Sequence, residues 1–200
     1  MIKLTNDRIA EIARENNLPP AALLAVKLVE SGAKSGFLDS GKPQILFEGH
    51  VFYKYLKANV KTLDVTELCK LYPNIVYPKW DKSQYKGGEK EWDRMEQARE
   101  INTKYANYSA SWGMFQIMGF NFRKCNCSSI DDFVKKMNES QEQHLNLMLA
   151  FLENSNLIEP LRNRQWATFA KGYNGSGYAQ NKYHTKLETA YRSYLKQYPE

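Results

Sequence analysis

The first residue that could do chemistry is Glu30, in the last turn of the apolar stretch from Leu24 to Gly32. We expect this helix to end at Gly32, since glycine readily adopts the positive-φ conformation that closes a helix. Glu30 would then lie at the negative end of the helix dipole, beside the apolar Val29. The negative end of the dipole and the apolar surroundings both favour a glutamate that binds its proton tightly, as a general acid requires. The alternative is a surface glutamate in water, with no chemical role.

Two more carboxylates follow on a predicted β-hairpin. Asp39-Ser40-Gly41 is a turn signal, and the strand-like segment from Gln44 to Phe47 comes after it. Asp39 and Glu48 are therefore candidates for a second catalytic carboxylate. His50 opens the next predicted helix, where we expect a structural hydrogen-bonding role rather than that of a base.

Two polar signals come later in the chain. Gln116 is a single amide in the apolar run between Gly113 and Gly119, so it must satisfy its hydrogen bonds either internally or on a ligand. Tyr173-Asn174 ends a predicted helix at the glycine-rich stop that follows. The first is a candidate ligand contact, and the second marks the end of a helix.

Apolar residues at helical spacing and capping signals predict the elements that must position these residues. The predicted helices cover residues 5–16, 20–31, 50–57, 66–71, 89–105, 130–137, 141–152, 165–173 and 178–198. The second is apolar on every side and should be the buried central helix, whereas the charges of residues 89–105 should form a solvated face. The sequence shows no repeat or linker, so residues 1–200 are predicted to form one mainly α (α+β) domain without a second, separate binding domain.

Composition limits the class of protein. The formal charge of +6 favours a polyanionic partner. The chain has no basic run and no basic-aromatic RNA motif, so we expect no nucleic-acid partner. The three cysteines, Cys69, Cys125 and Cys127, have neither disulfide nor zinc-knuckle spacing, and we expect no metal and no cofactor. No signal peptide and no membrane-spanning segment is predicted, which indicates cytoplasmic synthesis.

Three segments, taken in order, carry a resemblance to a known family. They are Val29-Glu30-Ser31-Gly32, then the run from Ser111 to Met118, then Phe169 to Gly175. Together they resemble the lysozyme-like superfamily, particularly goose-type lysozymes and lytic transglycosylases. Ile45-Leu46-Phe47-Glu48-Gly49-His50 resembles, more closely, the N-acetylmuramidase catalytic domain of bacteriophage endolysins, and this resemblance spans nearly the whole chain. Ala33-Lys34 departs from it, because a further small residue is expected after Gly32.

The resemblance implies a lysozyme-like helical domain with a short β-hairpin beside the catalytic helix. It implies that Glu30 protonates the glycosidic oxygen between N-acetylmuramic acid and N-acetylglucosamine. Gln116, Tyr173 and Asn174 would hold the sugar ring and its acetamido groups. Glu48 is preferred as the second carboxylate because it belongs to the family-like segment. Asp39 is the rival, since eight residues separate it from Glu30, as in phage-type lysozymes.

The resulting hypothesis is a peptidoglycan hydrolase that lyses bacteria as a phage endolysin. It would be a monomer without stable membrane insertion, held in the host bacterial cytoplasm until the membrane opens, and would then act on the cell wall. One alternative is a lytic transglycosylase, which yields 1,6-anhydro products. The other is a non-catalytic wall-binding module that retains the fold alone.

Overall fold

The computed structural model describes residues 3–32 and 35–199. Helices dominate this part of the chain: α1 Asn6–Glu15, α2 Pro20–Ser31, α3 Gly49–Asn59, α4 Val65–Leu71, α5 Glu89–Tyr108, α6 Ile130–Met137, α7 Gln141–Glu153, α8 Ile158–Arg162, α9 Trp166–Asn174 and α10 Tyr183–Leu195. Short strands are β1 Ile45–Phe47, β2 Ala110–Trp112 and β3 Ile117–Met118. Single 3₁₀ turns occur at Lys82–Gln84, Gly119–Asn121 and Ser176–Tyr178. The prediction of a mainly helical fold with a small β component is confirmed.

The chain folds into two compact units. The first consists of Met1–Ser35 and Ser140–Glu200, and the second is the intervening segment Gly36–Glu139. Each unit is described by itself below. That residues 1–200 act as one domain stays a prediction.

The centre of the first unit is α2. Its residues Ala21 to Val26 are fully buried, because a helix that is apolar on every side must be covered on every side. Helices α1, α8 and α10 pack against it. Pro20 occupies the first turn, and Gly32 ends the helix with a φ of 56°. The predicted central helix and its bounds are confirmed.

The other helices of the first unit agree with the sequence-based prediction to different degrees. The Thr5 side chain caps α1 by accepting a hydrogen bond from the Arg8 amide. Helix α8 was not predicted, because its five residues are too few for a clear apolar period. The closing helix begins at Tyr183 rather than at Tyr178, because a 3₁₀ turn precedes it.

The second unit contains an antiparallel sheet in the order β1-β2-β3. The predicted turn at Asp39 is present, since Phe37 and Pro43 form an antiparallel bridge across it. The strand that follows pairs elsewhere: β1 lies against β2, with Ile45 opposite Trp112. Local sequence could predict the turn but not this distant partner strand. The prediction about Ala33-Lys34 lies outside the described residues.

Two charged residues of helix α5 contradict the prediction that its charges form a solvated face, whereas most of the others are exposed as predicted. Glu91 is 0% exposed and Arg94 is 2% exposed. Both lie on the same helical face as the buried Met95 and Ala98, and they pair with each other at 2.8 Å. Helical spacing alone could not separate them from the exposed charges of α5. The helix is also broken at Asn102, whose φ and ψ of −163° and 101° are not helical.

None of the helices in the described residues has the length and apolarity that a membrane span requires. Cys125 and Cys127 are buried free thiols, and burial raises the pKa of Cys125 to about 12. Such thiols are protonated and unreactive near neutral pH.

Candidate active site

Glu30, in the first unit, has a carboxyl group whose pKa is strongly raised. Its side chain is partly buried in the last turn of α2. Burial raises its pKa from 4.5 to about 7, while a hydrogen bond from Asn174 and the positive charge of Lys186 oppose that rise. The expected direction of the shift is confirmed, and its main cause is removal from water. Near neutral pH, a substantial fraction of Glu30 is therefore protonated.

Asn174 contacts Glu30 directly. It is the last residue of α9, and its Nδ2 donates a hydrogen bond of 3.4 Å to Glu30 Oε1. Gly175 ends α9 with a φ of 74°, which a residue with a side chain rarely adopts. The sequence therefore placed the helix end correctly, and the tertiary structure brings that end to the acid.

Tyr173 precedes Asn174 and is held by two aromatic rings. Its ring stacks on Phe169 with a centroid distance of 5.7 Å and meets the edge of Phe151 at 6.0 Å. The side chain remains partly exposed. A tyrosine fixed in this way offers ring surface and a hydroxyl at little cost in conformational entropy.

Two residues near Glu30 were missed by sequence reasoning. Lys186 on α10 acts on Glu30 by its charge. Tyr183 is one turn earlier, and burial, followed by the negative charge of Glu30, raises its pKa. The Lys186 ammonium lies 5.4 Å from the centre of the Tyr183 ring. In the sequence, Tyr183 and Lys186 are recognisable only as two residues three positions apart on one helix. That spacing cannot show that α10 packs against α2.

Glu48 in the second unit is the single residue between β1 and α3. Its side chain is 16% exposed, and its Oε2 accepts a hydrogen bond of 2.6 Å from the Tyr85 hydroxyl. Burial, followed by this contact with Glu48, raises the pKa of Tyr85. The carboxylate is thus oriented by a donor that remains protonated near neutral pH.

His50 is the nearest imidazole to that carboxylate among the described residues. Its Nδ1 lies 3.3 Å from Glu48 Oε2, but it has no hydrogen-bond partner of good geometry in the described chain. Burial lowers the pKa of His50, so the ring is neutral near pH 7. The contact is therefore a weak one between a neutral ring and a carboxylate, rather than an ion pair.

Asp39, the rival carboxylate, has a different environment. It lies exposed at the hairpin turn. Among the described residues, no hydrogen bond or ion pair holds its side chain. Its orientation is consequently less restricted than that of Glu48.

Gln116 lies in the turn between β2 and β3, with a φ of 50°. Its Oε1 accepts a hydrogen bond of 2.9 Å from Ser111, and its Nε2 donates to the carbonyl oxygens of Gly113 at 2.8 Å and Gln44 at 3.4 Å. Of the two alternatives left open for its amide, the internal one is observed. Gln44 and Glu48 precede and follow β1, so Gln116 and Glu48 contact opposite ends of this strand.

The predicted site residues thus fall into two groups. Glu30, Tyr173 and Asn174 belong to the first unit, where Glu30 and Asn174 are in contact. Glu48, Asp39 and Gln116 belong to the second unit. Within the described residues, no three His, Cys, Asp or Glu side chains converge as a metal site would require.

The family model for N-acetylmuramidase matches residues 19–195. The crystal structure of a Burkholderia AP3 phage endolysin is similar, with a TM-score of 0.86 and 34% sequence identity. That similarity covers 96% of this chain and 72% of the endolysin chain. No curated protein sequence matches this chain.

Proposed function

Because this chain belongs to the N-acetylmuramidase family and is thus a lysozyme-type glycoside hydrolase acting on peptidoglycan, we propose that Glu30 is its general acid. The observation that carries this proposal is the position of Glu30, partly buried in the last turn of α2 and in contact with Asn174, where burial raises its pKa to about 7. A general acid works best with a pKa near the working pH, because it is then both protonated and able to release its proton.

In the proposed reaction, Glu30 donates its proton to the glycosidic oxygen between N-acetylmuramic acid and N-acetylglucosamine. The C–O bond breaks, N-acetylglucosamine leaves with that proton on its hydroxyl group, and positive charge develops on the muramic acid ring. A water oxygen then bonds to C1 of that ring and loses its proton to a carboxylate, which completes the hydrolysis. Glu30 becomes an anion when it gives up its proton. The hydrogen bond from Asn174 and the charge of Lys186 then stabilise it more strongly than they stabilised the neutral acid.

The second carboxylate is assigned to Glu48. A carboxylate in this role either activates water or stabilises the positive sugar ring, and both tasks require a fixed orientation. The 2.6 Å hydrogen bond from Tyr85 and the low exposure of Glu48 support this assignment. The exposed Asp39 has no comparable support.

Tyr173, Asn174 and Gln116 are assigned to substrate binding. The fixed and partly exposed ring of Tyr173 is suited to packing against a sugar. Gln116 uses its amide within the second unit, so we assign it the task of holding the turn after β2 in shape for the substrate. An oxygen lone pair that Ser111 does not use can still accept a hydrogen bond from an acetamido N–H group.

We propose the biological role of an endolysin that causes bacterial lysis, acting as a monomer. The similar structure from phage AP3 carries that description and supports the role. The formal charge of +6 is consistent with attraction to an anionic cell wall. Synthesis in the host cytoplasm remains a prediction from the sequence.

Digestion of purified peptidoglycan tests the proposal. We expect the protein to release fragments with reducing N-acetylmuramic acid ends, detected by mass spectrometry after borohydride reduction. Glu30→Gln should abolish release while the circular dichroism spectrum stays unchanged. Products with 1,6-anhydro ends would instead identify a lytic transglycosylase.

The matched control is Glu153→Gln, which makes the same chemical change at an exposed position of the first unit. We expect it to keep full activity. Full activity of Glu30→Gln would contradict the assignment of Glu30 as the general acid. Binding of peptidoglycan without release of products would contradict the proposal that the protein cleaves it.

A further inference from the structure

The peptide groups on either side of Glu48 are held by side chains that belong to neither β1 nor α3. Glu48 is neither strand nor helix: it caps α3 with a φ of −103° and a ψ of 85°. Its direction therefore depends on how the backbone of Phe47 and Gly49 is fixed on either side. Both residues are buried, and both have a hydrogen-bond partner that neither the sheet nor α3 supplies.

A buried ion pair holds the Phe47 side of this junction. Glu91 Oε2 accepts a hydrogen bond of 3.1 Å from Phe47 N, and Arg94 Nη1 donates one of 3.1 Å to Phe47 O. Strand β1 pairs with β2 on one edge, and no other strand of the described residues lies along its second edge. The two side chains thus bind the N–H and C=O groups of an edge strand as a neighbouring strand would.

Tyr77 holds the Gly49 side. Its hydroxyl accepts hydrogen bonds of 3.3 Å from Gly49 N and of 3.3 Å from Arg94 Nη2. A Cβ atom at position 49 would overlap both the Tyr77 ring and the Ile75 carbonyl oxygen, so only glycine permits this approach. Arg94 is therefore connected to the backbone on both sides of Glu48.

The same ion pair also orders the loop that carries Tyr85. Glu91 Oε1 accepts hydrogen bonds from the amides of Lys86 and Gly87, the two residues after Tyr85. Tyr85 in turn donates directly to Glu48 Oε2. Glu91 therefore reaches Glu48 by two routes, one through β1 and one through this loop.

A purely structural role would not require these charges. Well-packed apolar side chains of similar volume often stabilise a core as well as a buried ion pair does, or better. What apolar side chains cannot provide is the set of directed hydrogen bonds to Phe47, Gly49 and the loop after Tyr85. The distinctive property of the pair is thus the geometry it imposes.

We propose that Glu91, Arg94 and Tyr77 are positioning residues that hold the Glu48 carboxylate in its working orientation for glycoside hydrolysis. This inference rests on the proposed role of Glu48 as the second carboxylate. The three residues touch no substrate; they act through the backbone beside Glu48 and, for Glu91, also through the Tyr85 loop.

The test is a double-mutant cycle between Tyr77→Phe and Glu48→Gln, assayed on a soluble oligosaccharide of N-acetylmuramic acid and N-acetylglucosamine. Tyr77→Phe keeps the packed ring and removes only the hydroxyl. We expect kcat to fall roughly tenfold with KM within about twofold, because a displaced carboxylate affects the reaction more than substrate binding. In the Glu48→Gln background, Tyr77→Phe should lower kcat no further.

Tyr85→Phe is the second variant, at a partly exposed position where folding is less at risk, and should lower kcat in the same way. Tyr53→Phe is the matched control, a partly exposed tyrosine on α3 whose hydroxyl contacts Lys57. It should keep both constants. Thermal unfolding of every variant separates a folding defect from a catalytic one.

The outcomes separate the two proposals. If Glu48→Gln keeps full activity, the role of Glu48 is wrong and this inference falls with it. If Glu48→Gln loses activity but Tyr77→Phe and Tyr85→Phe keep the original kcat, only the positioning role is wrong. A rise in KM alone, or an equal loss of kcat with and without Glu48, would also overturn it.

Discussion

Asn174 Nδ2 donates a hydrogen bond of 3.4 Å to Glu30 Oε1, joining the last residue of α9 to the last turn of α2. The bond stabilises the anion and therefore opposes the effect of burial on the pKa of Glu30. The pKa of Glu30 is thus held at about 7 by two opposing influences: burial raises it, and Asn174 and Lys186 lower it.

Asn174→Ala removes one of these influences. Because the lost donor favours the anion, the pKa of Glu30 should rise above about 7. The alkaline limb of the kcat–pH profile, where the acid loses its proton, should move upward by roughly half a unit. Asn181→Ala, an exposed position before α10, is the control and should leave the limb in place. A limb that stays fixed or moves downward in Asn174→Ala contradicts the role of this bond.

Lys186 provides a second, separable influence. Its charge lowers the pKa of Glu30 through space, and such an effect is screened by salt. Raising the ionic strength should therefore move the alkaline limb of the wild-type profile upward. In Lys186→Gln, the limb should start higher and respond less to salt. An equal salt response in both proteins would show that Lys186 does not act on the acid by its charge.

Glu30→Gln should stabilise the fold at alkaline pH. The pKa of Glu30 is raised from 4.5 to about 7 in the folded protein, so its contribution to stability is fully present below pH 4.5. This contribution is lost as the pH rises through about 7, because the unfolded chain releases the proton first. Glutamine cannot ionise and avoids this loss, which is at most about 3 kcal/mol.

Urea unfolding at pH 4 and pH 8 measures the difference. The two proteins should have similar free energies of unfolding at pH 4, and the variant should be the more stable at pH 8. Equal stability at both values would mean that the acid is not buried in the folded state.

Glu48→Gln and Asp39→Asn distinguish the two candidates for the second carboxylate. We expect Glu48→Gln to lower kcat by about 10²-fold or more, the scale of losing an acid–base or electrostatic group. Asp39→Asn should remain within about twofold, because the side chain is exposed and makes no hydrogen bond or ion pair in the described chain. Initial rates on the soluble oligosaccharide decide between them. The reverse pattern would transfer the role to Asp39.

Gln116→Ala should destabilise the turn after β2 and weaken substrate binding. It leaves the Gly113 carbonyl and the Ser111 hydroxyl without the partners they have now, at a cost of roughly 1–2 kcal/mol. Ser111→Ala removes only one of these bonds and should have the smaller effect. The measurements are thermal unfolding and KM. Unchanged stability together with unchanged KM would contradict both the bracing and the binding role.

Much of the helical framework could be predicted because its causes are local. The Thr5 cap, Pro20 at the start of α2 and Gly32 at its end act within one turn of chain. Helix α6 has the predicted bounds because Ser129 caps it and apolar residues recur at helical spacing. Helix α8 and the break at Asn102 escaped prediction because no such local signal stands out.

The burial of the charged residues Glu91 and Arg94 could not be predicted from local sequence. Glu91 and Arg94 have the spacing of an ordinary surface ion pair on a helix. They are buried against the edge of β1 that no other described strand pairs, where they accept from the Phe47 N–H group and donate to its carbonyl oxygen. That edge exists only after the sheet has formed, so no pattern within α5 could reveal it.

By itself, the sequence determined that a glutamate ends a buried apolar helix and that a family-like segment contains Glu48, since both depend on neighbours in the chain. Only the tertiary structure decided that Glu30 has a pKa of about 7 and is contacted by a residue 144 positions away. It also decided which side chains orient Glu48. The reason is that removal from water and hydrogen bonding depend on which atoms meet in space, and distant segments of the chain supply those atoms.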